Sequence, residues 1–148
     1  MTGVWIALAA VVFALAFGAY RAVTDGRFRG THKVQGADHP DHDPRLDVWS
    51  ALGDVATGTP GERGTLLQFS SAFCAPCRVT RRILEDVSVH AEGVRHLEVD
   101  AEHHLDLVRT LGVMRTPTTI ILDRSGREVG RAVGAPTKEQ VNAAIASL

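Results

Sequence analysis

Two cysteines three positions apart, Cys74 and Cys77, constrain the fold of this chain more than any other feature, and they are its only cysteines. The apolar run Leu66-Leu67-Gln68-Phe69 precedes them and predicts a buried strand. The residues that follow have helical spacing and predict one inward face: Val79, Ile83, Leu84 and Val87. A C-x-x-C pair at the point where a strand passes into a helix is typical of a dithiol/disulfide redox site.

The position of the pair in the predicted helix explains its expected reactivity. Cys74 stands where the helix begins, and the free N–H groups and positive dipole end at that point favour a thiolate. Arg78 adds positive charge one turn further, and Pro76 suits a first helical turn, where its missing N–H has no partner to lose. The thiolate is the nucleophile in disulfide exchange, so we expect Cys74 to attack a substrate disulfide and the less exposed Cys77 to resolve the mixed disulfide.

A second motif, Arg115-Thr116-Pro117-Thr118, lies about 40 residues after the cysteines and directly before an apolar strand pattern. Together the two motifs resemble the thioredoxin superfamily, and the resemblance covers residues 63–148. Phe73-Cys74-Ala75-Pro76-Cys77-Arg78 is similar to that family's Trp-Cys-Gly-Pro-Cys-Lys/Arg active site, and Thr116-Pro117-Thr118 is similar to its cis-proline loop. Gly126 and Gly134 also fit the family, in a hairpin turn and before the last helix.

The resemblance implies a thioredoxin-like fold of the α/β class, a central mixed sheet flanked by helices, and it implies thiol–disulfide oxidoreductase activity. Cys74 and Cys77 are then the catalytic residues and form the redox disulfide, with no cofactor and no metal expected. The implied substrate-binding residues are Phe73, Thr116 and Pro117, and the implied supporting residues are Ala75, Pro76, Arg78 and Gln68.

Three residues depart from the family pattern. Phe73 replaces the usual tryptophan and keeps an aromatic ring without the indole N–H. Ser70 replaces an aromatic residue of the strand. Gln68 stands where the family carries a buried aspartate that helps to move the proton of the second cysteine. A buried carboxyl exchanges protons near neutral pH and an amide does not, so we expect water or a more distant group such as His96 to serve instead.

The N-terminal segment predicts a transmembrane helix. Residues 4–20 carry no charge, and their 17 positions reach the lower end of the range of about 17 to 25 residues that a transmembrane helix needs. Trp5 and Tyr20 stand at its two ends, as interfacial aromatic residues do. A secretory signal peptide is the alternative, but no Lys or Arg precedes the apolar run, whereas signal peptides begin with a basic region.

The chain therefore divides into three predicted parts: an anchor at 1–21, a juxtamembrane linker with an irregular lead-in at 22–62, and a thioredoxin-like domain at 63–148. Within residues 21–33, directly after the apolar run, basic residues outnumber acidic ones, with Arg21, Arg27, Arg29 and Lys33 against Asp25. Because basic flanks stay cytoplasmic, we expect a single-pass protein of the cell membrane with its thiol domain in the cytoplasm. The extracytoplasmic face is the alternative, since many membrane-anchored thioredoxin-like proteins work there.

Between the apolar run and the domain the sequence is irregular and rich in Gly, Pro, Asp and His. The cluster His39-Pro40-Asp41-His42-Asp43 contains potential metal ligands, but a solvated linker explains it better, because ligand geometry needs a scaffold. Residues 45–52 predict a short helix that packs on the domain through Leu46, Val48, Trp49 and Leu52.

From residue 65 onward strand and helix patterns alternate. Three segments predict further strands: 94–99, 118–122, which is apolar enough to be buried on both faces, and 127–133, after a turn at 123–126. Residues 101–111 predict a helix whose inward face is Ala101, Leu105, Val108 and Leu111. The capping box Thr137-Lys138-Glu139-Gln140 opens a last helix with Val141, Ile145 and Leu148 inward.

The leading functional prediction is a membrane-tethered thiol–disulfide oxidoreductase that reduces protein disulfides and needs an electron donor to regenerate its dithiol. A reducing direction is favoured because no histidine lies between the cysteines to stabilise the thiolate strongly. The alternative is a non-enzymatic thioredoxin-like module that binds a membrane partner or carries sulfur or metal on its thiols. A peroxide-reducing enzyme is disfavoured, because Ser71 stands where that class has threonine. The net charge of −1 gives no field that would attract nucleic acid.

Overall fold

The computed structural model describes residues 2–24, 26–29, 48–55 and 58–148. Within these residues the elements follow the order α1 (Thr2–Thr24), β1 (Phe28–Arg29), α2 (Val48–Leu52), β2 (Gly64–Ser70), α3 (Ala75–His90), β3 (Val94–Asp100), α4 (Leu105–Thr110), β4 (Thr118–Asp123), β5 (Glu128–Val133) and α5 (Lys138–Ile145). A single 3₁₀ turn, Gly53–Val55, follows α2.

One mixed sheet organises the domain, with the strand order β1-β5-β4-β2-β3. β2 lies between β3 and β4: it pairs in parallel with β3 and antiparallel with β4. Parallel neighbours need a long crossover, and α3 supplies it between β2 and β3. The tight turn between β4 and β5 includes Gly126 at a φ of 81°, a conformation that glycine adopts without steric cost. The order of elements from β2 to α5 confirms the α/β fold that the sequence predicts.

The sheet is buried on both faces by two apolar clusters. Leu67 and Phe69 of β2 belong to the cluster shared with α2 and α4, whereas Leu66 belongs to the cluster shared with α3 and α5. Alternate residues of a strand point to opposite faces, so the unbroken apolar run in β2 supplies both clusters. The prediction of a buried strand before the cysteines is confirmed.

Two predicted core positions are wrong. Val79 is 52% exposed. The buried residues of α3 are Cys77, Thr80, Leu84 and Val87, so the inward face is set by Cys77 and the positions one, two and three turns after it. Leu105 is 53% exposed, and α4 buries Leu107 instead. The cause is a turn after β3: the Asp100 carboxylate accepts a hydrogen bond from the N–H of Glu102 at 2.8 Å, and α4 begins at Leu105 rather than at residue 101.

Two short elements before β2 also belong to the packed domain. The predicted short helix is confirmed for Val48–Leu52, and both terminal side chains are buried in the cluster beneath α4. β1 pairs antiparallel with β5 at the sheet edge, with Phe28 opposite Ala132, although it comes from the segment that the sequence predicts to be a linker. Residues 45–47 and the His39–Asp43 cluster lie outside the described residues.

Helix α1 carries its apolar side chains on the outside: residues 3–21 are all exposed. Among the described residues, Gly3–Arg21 is the one helical stretch long and apolar enough to cross a membrane. By length and composition it fits either a membrane span or a signal sequence, because both require an apolar helix near the N-terminus.

Candidate active site

The two cysteines form a disulfide at the N-terminus of α3. Cys74 is the N-cap residue, with extended backbone dihedral angles, and its Sγ accepts a hydrogen bond from the N–H of Cys77 at 3.1 Å. The sulfur therefore takes the place that a serine or aspartate oxygen usually has at a helix start, where unpaired N–H groups need an acceptor. Pro76 lies in the first turn, where it removes no helical hydrogen bond.

The two sulfurs differ in accessibility. Cys77 is 2% exposed because it faces the sheet, whereas Cys74 is half-buried at the surface. The predicted neighbours Ala75, Pro76 and Arg78 are exposed, and the Phe73 ring is 99% exposed. A bulky partner can reach the sulfur of Cys74 and is kept away from that of Cys77.

The proline loop lies against the cysteine motif. Thr118 is the partner of Phe69 in the antiparallel pairing of β4 and β2, so the residues just before β4 lie beside the end of β2. The hydroxyl oxygens of Ser71 and Thr116 are 3.0 Å apart. The peptide bond from Thr116 to Pro117 is cis, which confirms the prediction, and the Pro117 carbonyl accepts a hydrogen bond from Gly134 at 2.8 Å.

Gln68 connects the strand beneath α3 to Cys77. It is fully buried, and its Nε2 donates to the backbone carbonyl of Cys77 at 3.0 Å and to the hydroxyl of Ser70 at 2.8 Å. Its Oε1 lies 3.1 Å from Nε2 of His96. A carbonyl can only accept, so Cys77 fixes the orientation of the amide, and the amide oxygen in turn requires a proton on Nε2 of His96.

His96 is held in its neutral form by this environment. Burial lowers the pKa of the imidazole below its ordinary value, and the nearby charges of Glu98 and Glu85 offset this only in part. His96 is a predicted candidate for proton transfer. The structure brings it to Gln68 and separates it from Cys77 by the Gln68 amide.

A cavity of about 380 Å³ opens beside the disulfide, and it is lined by Ser70, Ser71, Ala72, Cys74, Cys77, Arg78, Arg81, Glu98 and Asp100. Glu98 and Arg81 form a two-point ion pair across it, with Nε to Oε2 at 2.6 Å and Nη2 to Oε1 at 2.7 Å. Burial raises the pKa of the Glu98 carboxyl, but the hydrogen bonds from Arg81 and Ser70 and the charge of Arg81 outweigh it, so that the net pKa lies below the ordinary value.

Sequence reasoning missed Glu98 and Arg81. The signal that points to them is the alternation along β3, because His96, Glu98 and Asp100 share one face of the strand and that face is turned toward α3. Arg81 lies one helical turn after Cys77 and so projects over the same region. Among the described residues there is no group of three or more His, Cys, Asp or Glu side chains that could hold a metal ion.

An oxidised C-x-x-C pair at a helix start, a buried second sulfur and a proline loop packed beside them define a dithiol/disulfide redox protein. The family model for thioredoxin matches residues 58–147, which is more than half of the chain. The chain belongs to the thioredoxin family, and it is a thiol–disulfide oxidoreductase of the class whose members act on protein disulfides.

Individual relatives agree with this assignment. The chain is 32% identical over 89 residues to thioredoxin of Alicyclobacillus acidocaldarius, which covers 60% of this chain and 84% of that one. It is 29% identical over 94 residues to the mitochondrial thioredoxin-2 of Schizosaccharomyces pombe, covering 64% and 70%. Among solved structures, thioredoxin from Trypanosoma brucei brucei superposes with a TM-score of 0.52 and 26% identity, covering 59% of this chain and 75% of that one.

Proposed function

We propose that this protein is a membrane-tethered thioredoxin that reduces disulfides of protein substrates, with Cys74 as the nucleophile and Cys77 as the resolving thiol. The observation that carries the proposal is the N-cap geometry: Cys74 Sγ accepts a hydrogen bond from the N–H of Cys77, and an acceptor at a helix start is stabilised as an anion. The exposed neighbour Arg78 adds a positive charge on the same side of α3.

The reduced dithiol works in two exchanges. The Cys74 thiolate attacks one sulfur of a substrate disulfide, a bond forms between the two sulfurs, and the other substrate sulfur leaves as a thiolate. Cys77 then attacks Cys74, the mixed disulfide breaks, and the second substrate thiolate leaves. The enzyme ends with the Cys74–Cys77 disulfide that is seen in the structure, and an external electron donor must reduce it again.

Substrate binding falls to the surface around Cys74. Thr116 lies before the first ladder residue of β4, so its N–H and C=O are outside the sheet pairing and suit a short β-like contact with an extended substrate. The exposed Phe73 ring supplies apolar contact area next to Cys74, whereas Pro117 is itself buried and holds the loop that carries Thr116. Ala75 leaves the approach to the sulfur open.

The membrane tether and the direction of electron flow rest on the sequence. Helix α1 has the length and the exposed apolar surface of a single span, and the basic flank after it favours a cytoplasmic domain. A cytoplasmic compartment keeps thiols reduced, which agrees with a reducing role.

A turbidity assay of insulin reduction by the full-length protein with dithiothreitol tests the function. We expect catalysed precipitation by the wild type and only the background rate for Cys74→Ser. Cys77→Ser should accumulate a mixed disulfide through Cys74, which mass spectrometry detects. Equal turnover by Cys74→Ser and the wild type would contradict the proposal.

A further inference from the structure

The proposed disulfide exchange requires Cys77 to lose its thiol proton, and neither cysteine provides a base that could accept it. Cys77 must lose its thiol proton before it can attack the mixed disulfide, because the thiolate is the reactive form. It is 2% exposed and faces the sheet, and burial in apolar surroundings makes a thiol harder to ionise. A nearby base is therefore needed at the moment of resolution. The inference that follows rests on the proposed roles of Cys74 and Cys77.

Neither the side chains of β2 nor His96 can act as this base. β2 contributes only neutral side chains, and the Gln68 amide that contacts the Cys77 backbone has no useful basicity. His96 lies behind this amide with its Nε2 proton directed at Gln68 Oε1. A side-chain amide does not relay a proton at neutral pH, so His96 cannot take the proton of the Cys77 thiol through Gln68.

Two carboxylates line the cavity that Cys77 also lines, Glu98 and Asp100. Asp100 is engaged in the turn before α4: it accepts from the N–H of Glu102 at 2.8 Å and contacts Nδ1 of His103 at 2.9 Å. Glu98 lies beside Gln68 in the parallel pairing of β2 and β3, and its Oε1 is 3.5 Å from Gln68 Nε2. Its side chain thus borders the network that holds the Cys77 carbonyl.

We propose that Glu98 is the proton acceptor for Cys77, acting across the shared cavity through water. The Cys77 thiol gives its proton by way of water to the Glu98 carboxylate, and the Cys77 thiolate forms the bond to Cys74 Sγ as the Cys74–substrate bond breaks. The departing substrate thiolate takes up a proton from Glu98 or from solvent. Two electrons pass from the dithiol to the substrate disulfide, and no further reactant is required.

Arg81 has a positioning role in this proposal. Its two-point contact holds the Glu98 carboxylate at the cavity and keeps it ionised at neutral pH, so the carboxylate is unprotonated when the mixed disulfide forms. The charged and titratable groups around Glu98 come from two elements, α3 and β3. Arg81 and His96 act on it directly, Arg78 and Asp100 line the same cavity, and Glu85 acts on Arg81 and His96.

Reaction of the reduced full-length protein with dithiobis(nitrobenzoate) in a stopped-flow instrument separates the two exchanges. The first release of thionitrobenzoate reports attack by Cys74, and the second release reports resolution by Cys77. General-base assistance contributes about 10² to 10⁴-fold. Water in an open cavity recovers part of this, so we expect Glu98→Gln to slow the second phase about 10 to 100-fold and to leave the first unchanged.

The pH profile separates proton acceptance from a structural role. In the wild type the second phase should be nearly independent of pH around neutrality, whereas in Glu98→Gln it should rise in proportion to hydroxide. Glu98→Ala leaves room for a small carboxylate, and formate should restore its second phase. Asp100→Asn is the matched control, since it removes the other carboxylate of the cavity, and its second phase should match that of the wild type.

The electrostatic alternative predicts the opposite sign. If Glu98 acted only through its charge, Glu98→Gln would remove a negative charge near Cys77 and leave Arg81 unpaired, and the second phase would become faster. A faster or unchanged second phase overturns the proposal, and so does a slower one that formate does not restore and whose pH profile is that of the wild type. Failure of the wild type to show the first phase would contradict the proposed role of Cys74 instead.

Discussion

Gln68 joins two strands and a helix at the site, because its amide contacts the Cys77 carbonyl of α3, Ser70 of its own strand and His96 of β3. These three hydrogen-bonding partners are polar groups in a buried layer, where an unpaired group costs about 1 to 3 kcal/mol. The residue therefore holds a proton on Nε2 of His96 while it holds the first turn of α3 on the sheet.

This arrangement predicts a loss of stability in mild acid. The folded-state pKa of His96 is lowered by burial, so above about pH 6.5 the imidazole is neutral in both states and contributes no pH dependence. As the pH falls below about 6.5, the unfolded chain binds a proton that the folded chain excludes, and the free energy of unfolding decreases until the folded pKa is reached.

His96→Gln tests this directly, because glutamine retains an N–H donor for Gln68 and does not titrate. Urea unfolding of both proteins at about pH 7.5 and about pH 5.5 should show a smaller loss of stability for the variant, with a difference of at most about 1.4 kcal/mol per pH unit across this range. Equal losses in the two proteins would contradict the account of His96.

Single residues also show which parts of the site could be predicted from the sequence alone. The C-x-x-C motif at a helix start was predictable from the local sequence, whereas the cis bond before Pro117 was predictable only from the resemblance to the thioredoxin superfamily, because few X–Pro bonds in folded proteins are cis. Glu98 was not predictable, because its significance depends on the parallel register that brings it beside Gln68 and on the phase of α3 that brings Arg81 over it. Neither is a local property of the sequence.

At the scale of elements, α3 and α4 show that a helical spacing of apolar residues can predict the wrong inward face. Val79 and Leu105 are apolar and correctly spaced, yet both are exposed, because the helix start, rather than the spacing, decides which face turns inward. In α3 that start is fixed by the Cys74 cap, and in α4 by the turn that Asp100 closes. The strands were easier to predict, because an apolar run that is buried on both faces requires no choice of which residues turn inward.

Helix α2 illustrates an element whose importance comes from packing. It has five residues, too few for independent stability, but Leu52 is 1% exposed in the cluster under α4. Leu52→Ala in the full-length protein should lower the free energy of unfolding by about 2 to 5 kcal/mol, because it removes buried methyl groups and leaves a cavity.

Leu105→Ala is the matched control for that substitution, since the same atoms are removed from an exposed position. Its free energy of unfolding should lie within about 0.5 kcal/mol of the wild-type value in urea. A small effect of Leu52→Ala, comparable to that of Leu105→Ala, would mean that α2 is not part of the folded core.

At the scale of the whole molecule, the proposed membrane tether restricts where the redox site can work. The apolar surface of α1 is exposed along residues 3–21, and it gains favourable burial in a bilayer. In the proposed topology the basic flank is on the cytoplasmic side, the N-terminus is outside the cell and the disulfide site is inside. Substrates are then proteins at or near the inner surface of the membrane.

Labelling of intact cells with a membrane-impermeant maleimide tests this topology. Reduced Cys74 should stay unlabelled until the membrane is permeabilised. As a control, Thr2→Cys in a chain that lacks Cys74 and Cys77 should be labelled without permeabilisation. Labelling of Cys74 in intact cells, with no labelling at position 2, would reverse the orientation.

The central claim is that the cap geometry favours the thiolate form of Cys74, so that a large share of it is ionised at neutral pH. The most direct measurement is the alkylation rate of Cys74 by iodoacetamide as a function of pH in the reduced Cys77→Ser variant, whose other sulfur is gone. The account predicts a midpoint near pH 7, more than one unit below the value of about 8.5 for a free cysteine. A midpoint at or above about 8.5 would show that the helix start does not activate Cys74, and it would contradict the account.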